Sequence, residues 1–133
     1  MRNLRSVVAV CVLAMSSLAV SGCGPSTYKI SGKVTYQGKP VTYGILIFYY
    51  MDGSRNDARI YNDGSYSILD AKAGHVHIAV ESPKPRVPAG QEGVNGQPDP
   101  AKWFPIDKKY TNPDTSGKEA DIKGVATIDI TLD

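Results

Sequence analysis

The fold of this protein is decided by residues 28–41, which read YKISGKVTYQGKPV. Between Tyr28 and Tyr36, apolar side chains alternate with lysine, serine and threonine, and this period of two is typical of a β-strand with one buried face. Residues 37–40 then supply a glycine and a proline, which favour a tight turn. The stretch therefore predicts a half-buried strand that ends where the chain reverses direction.

The rest of the chain continues this pattern. Residues 41–50 are apolar at both odd and even positions, which is typical of a central strand covered on both faces. The pair Asp63-Gly64 favours a two-residue hairpin. No window shows the 3.6-residue period of a helix, so we expect little or no helix. The sequence predicts an all-β sandwich of six or seven short strands, at residues 28–36, 41–50, 58–62, 65–69, 75–81 and 125–132.

Residues 82–105 interrupt the strands with six prolines and three glycines. Proline removes hydrogen-bond donors from a sheet, so this segment is predicted to be a long loop outside the sheets. Loops of this length in compact domains are usually functional or disordered. The only tryptophan, Trp103, lies at its end beside Phe104. Trp103, Phe104 and Tyr110 are the candidate contacts with a partner, but packing of these rings on their own sandwich is favoured over that role.

Residues 1–22 have the layout of a cleaved export signal. Arg2 and Arg5 precede an uncharged apolar run, Val7–Val20, which is too short to span a bilayer. The run ends in Val20-Ser21-Gly22-Cys23, which resembles the bacterial lipobox. The alternative is an ordinary secreted protein that is cut near the same point.

The lipobox resemblance implies that Cys23 becomes the first mature residue and carries acyl chains, palmitate among them. Residues 23–27 would then be a short linker to the domain. The residue after the cysteine is Gly24 and not the aspartate that resembles an inner-membrane retention signal, so we expect the outer membrane rather than the inner one. The expected location is the bacterial cell envelope, with the lipid anchor as the membrane partner.

Length and charge restrict the function further. The 133 residues fit one domain, and 15 basic against 13 acidic side chains give a net charge of +2. Arg2 and Arg5 belong to the export signal, so the remaining chain is balanced in charge. A nucleic-acid partner is therefore not expected. The second cysteine, Cys11, leaves with the signal, which suits an oxidising compartment.

Residues 30–41 also resemble the opening of carboxypeptidase regulatory-like domains, which are transthyretin-like (prealbumin-like) sandwiches. The resemblance continues through Asp63-Gly64-Ser65-Tyr66, through Ala73-Gly74, and through residues 105–116, which look like a P-x-K-Y-x-x-P-x-T-S segment of bacterial lipoproteins. It implies a seven-stranded Greek-key prealbumin-like β-sandwich over residues 28–133. It brings no catalytic residues.

The two histidines are only weak candidates for a metal site. His75 and His77 alternate on one predicted strand with Glu81 further along the same face. Two imidazoles and a carboxylate can hold zinc or copper, but strand residues i and i+6 lie about 20 Å apart. Glu81 cannot join His75 without a partner strand. We therefore expect no metal and no cofactor, with His75 and His77 as weak candidates.

These observations favour a non-catalytic structural or interaction module. The sequence has no nucleophile-elbow or phosphate-loop motif, so we do not expect an enzyme. Expected partners are the membrane and an envelope protein or polysaccharide. The alternative is a carbohydrate-binding module, since eight tyrosines could form a stacking platform. That alternative requires at least three aromatic rings exposed on one flat face.

Overall fold

The chain forms two β-sheets in a computed structural model, which describes Gly22, Gly24 and residues 26–133. Cys23 and the export signal predicted before it, apart from Gly22, lie outside the described residues. Helical structure in the described part is limited to two 3-10 turns, Val94–Gly96 and Lys108–Thr111, and one α-helical turn, α1 (Pro113–Ser116). The strands are β1 (Thr27–Tyr36), β2 (Lys39–Pro40), β3 (Gly44–Tyr50), β4 (Arg55–Ile60), β5 (Ser65–Lys72), β6 (Gly74–Glu81), β7 (Glu119–Ile122), β8 (Ala126–Thr127) and β9 (Ile130–Leu132).

The first sheet is organised around β1. One side of β1 pairs antiparallel with β5, and its end pairs with the short strand β2 across the predicted turn. Parallel strands β8 and β9 lie against β1 as well. The alternating pattern of β1 therefore places Ile30 and Val34 in the core, where neither is exposed.

The second sheet has the order β4-β3-β6-β7, and all of its neighbours are antiparallel. β3 lies between β4 and β6, which confirms the central position predicted from its apolar residues. Leu46 and Phe48 point into the core, whereas Ile47 lies on the opposite face and is still only 4% exposed. We call this opposite face, which carries Ile45 and Ile47, the outer face of the second sheet.

The two sheets pack against each other as a sandwich. The Phe48 ring of β3 meets the Tyr66 ring of β5 edge to face, with 6.3 Å between centroids. This arrangement confirms the predicted all-β sandwich. The buried cluster between the sheets contains Ile30, Val34, Val41, Leu46, Phe48, Tyr50, Ala58, Ile60, Tyr66, Ile68, Ala71, Val76, Ile78, Val80, Tyr110, Ile122, Ile130 and Leu132.

The strand count roughly matches the six or seven expected. Two of the nine strands have only two residues, and the strand predicted over residues 125–132 is split into β8 and β9. The sequence also did not predict β7. Ala120 and Ile122 do alternate with polar residues there, but a run of four residues is too short for the period to be recognised.

Gly32 is the position where three strands meet. It pairs with Tyr66 of β5, and a Cβ atom at residue 32 would overlap the carbonyl group of Ile128, which lies between β8 and β9. That carbonyl accepts a hydrogen bond of 2.6 Å from the Tyr66 hydroxyl. The amide of the next residue, Lys33, donates to the carboxylate of Asp129 at 2.9 Å. The missing side chain of Gly32 thus makes room for the tyrosine to reach across β1.

We expect Gly32→Ala to lower the free energy of unfolding by about 2–3 kcal/mol, because the added methyl must displace backbone in a packed region. Gly124→Ala is the control, since a Cβ there meets nothing within 4 Å, and its effect should stay within about 0.5 kcal/mol. Equilibrium urea unfolding of both variants measures the difference. Equal stability of the two variants contradicts the role given to Gly32.

The buried Tyr66 hydroxyl also makes stability depend on pH. Burial, followed by the negative charge of Asp129, raises the pKa of Tyr66 far above its usual value of about 10. Above that pH the unfolded chain releases the phenolic proton while the folded chain retains it. The contribution of this residue is therefore complete below about pH 10 and is lost as the pH rises further.

We expect Tyr66→Phe to lower the free energy of unfolding by about 1 kcal/mol at pH 8, through the lost hydrogen bond. Above about pH 10 the difference between wild type and variant should shrink, because phenylalanine has no proton to release. Urea unfolding at several pH values between 8 and 11 tests this. A difference that stays constant over the whole range contradicts it.

Candidate functional site

Two histidines and two carboxylates lie together on the outer face of the second sheet, at its β7 edge. His75 and His77 are two residues apart on β6 and therefore lie on the same face of the strand. The antiparallel register with β7 places Asp121 opposite His75 and Glu119 opposite His77. Side chains of directly opposed residues lie on the same face, with Cβ atoms about 5 Å apart. The register therefore brings all four polar groups within reach of one another. We call these four residues the histidine cluster.

The segment before β7 sets this register. The side chain of Asn112 caps α1 by accepting from the Asp114 amide at 2.9 Å, and Pro113 occupies the start of the turn, where its missing N–H costs nothing. Ser116 is buried, and its hydroxyl donates to the Ile78 carbonyl on β6. The Ile78 amide in turn donates to the Lys118 carbonyl at 2.9 Å. These bonds hold the chain against β6 at Lys118, one residue before β7 begins.

The distances within the histidine cluster are short. Nδ1 of His75 lies 2.7 Å from Oδ1 of Asp121, and its Nε2 lies 3.3 Å from Oε2 of Glu119. Nδ1 of His77 lies 3.4 Å from the other oxygen of Glu119. The hydrogen bond to Asp121, reinforced by the charge of Glu119, raises the pKa of His75 above its ordinary value. Glu119 thus lies between the two imidazoles and can share a cation with both.

The sequence identified the two histidines but not their neighbours. Glu81, the carboxylate considered from the sequence, lies six residues from His75 on the same strand and does not belong to the cluster. A carboxylate near His75 has to come from a neighbouring strand, and β7 is that strand: it supplies Glu119 and Asp121. The only sign of these carboxylates in the sequence was the pair of acidic residues in the stretch 119–122. The sequence could not show that this stretch pairs with β6, because His75 and Asp121 are 46 positions apart.

The aromatic residues at the end of the loop pack within their own domain, the outcome that the sequence favoured over a partner contact. Nε1 of Trp103 donates to the carbonyl and hydroxyl oxygens of Ser82, at 3.2 and 3.1 Å. Phe104 stacks on Tyr36 with 6.1 Å between ring centroids. Both rings remain partly exposed.

Tyr110 lies deeper, in the core, and is 2% exposed. Its hydroxyl donates to the carbonyl of Asp133 and accepts from the amide of the same residue, at 2.7 and 2.8 Å. The ring also meets Tyr36 edge to face. Of the three candidate contacts with a partner, Tyr110 therefore has no surface to offer in this conformation.

The long loop lies against the outer face and forms a groove with it. Arg59 on β4 donates to the Gly96 carbonyl at 3.3 Å, and Asn62 donates to the Gln97 carbonyl at 3.1 Å. Pro98 of the loop is buried. The space left between loop and sheet has a volume of about 380 Å³. Its lining, which we call the arginine groove, consists of Tyr43, Gly44, Ile45, Arg59, Pro83, Arg86, Gln97 and Pro98.

The tyrosines do not form the flat platform that sugar stacking requires. Tyr61, with 52% of its surface exposed, is the single tyrosine among the large exposed apolar residues of the described chain. Tyr50 and Tyr66 are buried like Tyr110, and the others are half-buried. The guanidinium of Arg59 also lies over the Tyr61 ring at 5.8 Å. The criterion of three exposed rings on one face is not met by the residues that the structure describes.

Cys23 lies outside the described residues, so its lipidation stays a prediction. The described part of the chain contains no helix of the length and apolar character needed to cross a membrane.

Comparisons with known proteins yield structural similarity only. No family model matches the chain, and no curated protein matches it either. Two solved DUF3823 family proteins, from Bacteroides ovatus and Parabacteroides merdae, are each 17% identical with a TM-score of 0.46, over 80% and 81% of this chain. The chain spans less than half of their length, 44% and 46%.

A third solved structure is the dioxygenase domain of a dioxygenase carbohydrate-binding protein fusion from Streptomyces sp. SirexAA-E. It is 19% identical, with a TM-score of 0.41, over 85% of this chain and 83% of that one. At these values no activity is transferred from any of the three proteins.

Proposed function

We propose that this protein is a lipid-anchored interaction module of a bacterial cell envelope, built on a non-catalytic sandwich of the carboxypeptidase regulatory-like type. The observation that supports this function is the composition of the arginine groove. Its lining combines two guanidinium groups and one side-chain amide with the apolar surfaces of tyrosine, isoleucine and proline. Such a lining can bind a partner through both hydrogen bonds and apolar contacts.

The arginines determine what the groove can bind. The guanidinium groups of Arg59 and Arg86 can each donate parallel hydrogen bonds to a carboxylate or phosphate. The apolar walls around them, Ile45 among them, reduce competition from water. The groove therefore suits an anionic group carried by an envelope protein or by an acidic polysaccharide.

The interaction surface extends beyond the arginine groove toward Trp103. Pro83 lines this groove and also a neighbouring one of about 350 Å³, to which Trp103 and Ile106 contribute. The partly exposed Trp103 and Phe104 rings would then add apolar contacts beside the charged ones, as aromatic residues do at protein interfaces. In this proposal, sugar recognition depends on the arginines and not on a platform of stacked tyrosines.

A lipid anchor at Cys23 would be compatible with this use of the groove. β1 begins at Thr27, four residues after Cys23, which gives a linker of about 14 Å at most. Thr27 pairs with Lys72, whose amide donates to the Tyr50 hydroxyl at the end of β3. The arginine groove lies at the other end of β3, about 20 Å away. A domain anchored at Cys23 would hold the groove on the side away from the membrane.

We expect Cys23→Ala to abolish palmitate labelling and to move the protein from the membrane fraction to the aqueous fraction. Loss of two or three acyl chains removes about 0.8 kcal/mol of membrane affinity for each methylene group. Cys11→Ala is the matched control, because that cysteine lies inside the predicted export signal, and its labelling should equal wild type. Labelled Cys23→Ala protein contradicts the anchor.

We expect the double variant Arg59→Ala, Arg86→Ala to lose its envelope partner. The assay places a photoreactive amino acid at position 45, on the groove wall, where the otherwise unchanged protein should cross-link to an envelope component in intact cells. Removing two charged donors should reduce the yield at least roughly tenfold, since each is worth about 1.5–3 kcal/mol. Arg55→Ala is the control, because Arg55 lies on the same strand but pairs with Asp57.

The cross-linked product also identifies the partner class. Sensitivity to protease indicates a protein, and sensitivity to periodate indicates a polysaccharide. Equal yields from the double variant and the Arg55→Ala control contradict the arginine groove as the binding surface. Cross-links to lipid alone contradict the orientation away from the membrane.

A further inference from the structure

We propose that His75, His77 and Glu119 bind a zinc ion on the outer face of the second sheet, and that Asp121 holds His75 in the orientation required for binding. The ligand set of two imidazoles and one carboxylate is among those that proteins use for Zn²⁺ with an open fourth position. Imidazole nitrogen selects for transition metals over magnesium and calcium, which prefer oxygen ligands alone.

The spacing of the ligand atoms suits a tetrahedral ion. Zinc bonds of about 2.0–2.1 Å to nitrogen and oxygen place neighbouring ligand atoms about 3.4 Å apart. The two distances from the Glu119 carboxylate to the histidines are close to this value, 3.3 Å from Oε2 to His75 Nε2 and 3.4 Å from Oε1 to His77 Nδ1. One ligand atom from each of the three residues can be chosen so that the three atoms lie within 4.8 Å of one another. The three side chains are therefore close enough to converge on one ion.

Asp121 determines which nitrogen of His75 faces the ion. Its carboxylate lies 2.7 Å from Nδ1, so it accepts the Nδ1 proton and leaves Nε2 directed at Glu119. A carboxylate behind a metal-binding histidine is the usual second partner in zinc sites, where it fixes the tautomer and makes the ring a better ligand. Asp121 is thus a positioning residue and not a ligand.

The site is both rigid and accessible. Its residues belong to paired strands whose register is fixed by Ser116 and Ile78, so little freedom is lost on binding. The imidazoles are 38% and 34% exposed, which lets an ion enter and lets water take the fourth position. The histidine cluster lies at the start of β6, whereas the arginine groove adjoins its end. Zinc binding is therefore independent of the proposed interaction function.

The test uses the untagged full-length protein in detergent, stripped of metal with a chelator and dialysed against zinc chloride. We expect one zinc per chain, and a visible spectrum of tetrahedral cobalt when Co²⁺ replaces zinc. His77→Ala and Glu119→Gln should each weaken zinc binding at least tenfold. Glu81→Gln is the matched control on β6 and should bind like wild type, because Glu81 lies outside the cluster.

Asp121 is tested by a pair of variants. Asp121→Ala should weaken zinc binding roughly 10- to 100-fold, and Asp121→Asn, which retains an oxygen acceptor for Nδ1–H, should recover part of that loss. Circular dichroism of each variant confirms that the sandwich is folded. No zinc uptake by wild type overturns the site, as does uptake that His77→Ala and Glu119→Gln leave unchanged. Equal affinities of the two Asp121 variants overturn its positioning role.

Discussion

The hydrogen bond from the Tyr66 hydroxyl to the Ile128 carbonyl holds the first sheet together across Gly32. Because Gly32 has no side chain, the tyrosine of β5 can reach past β1 to the chain between β8 and β9. The same ring packs on Phe48 of the second sheet. One side chain thus links three parts of one sheet to the core of the other.

The same contact explains where sequence reasoning succeeded and where it failed. A period of two reports which face of a strand is buried, and it predicted the buried face of β1 correctly. It does not report whether the backbone ladder is continuous. Between β8 and β9 the Ile128 carbonyl turns to Tyr66, and the Asp129 carboxylate replaces a backbone acceptor for Lys33. The predicted single strand over residues 125–132 is therefore two.

The candidate sites were harder to predict because neither is local in sequence. His75 and His77 were visible as a pair, but Asp121 is 46 positions away and belongs to a strand too short to recognise. The arginine groove joins Arg59 of β4 to Arg86 of a loop that composition could only exclude from the sheets. In both sites the sequence identifies chemical groups, while pairing and loop docking decide which of them meet.

A sandwich of about 110 residues has little interior to spare for a binding cavity, and both sites lie on the outer face of the second sheet. The segment between the loop and β7 is fixed to both sheets. Tyr110 bonds to Asp133, next to β9, and Ser116 bonds to Ile78 on β6. Since the two attachments lie six residues apart, the chain between them has little freedom. The carboxylates that follow are held at a constant distance from the histidines, as a metal site of fixed geometry requires.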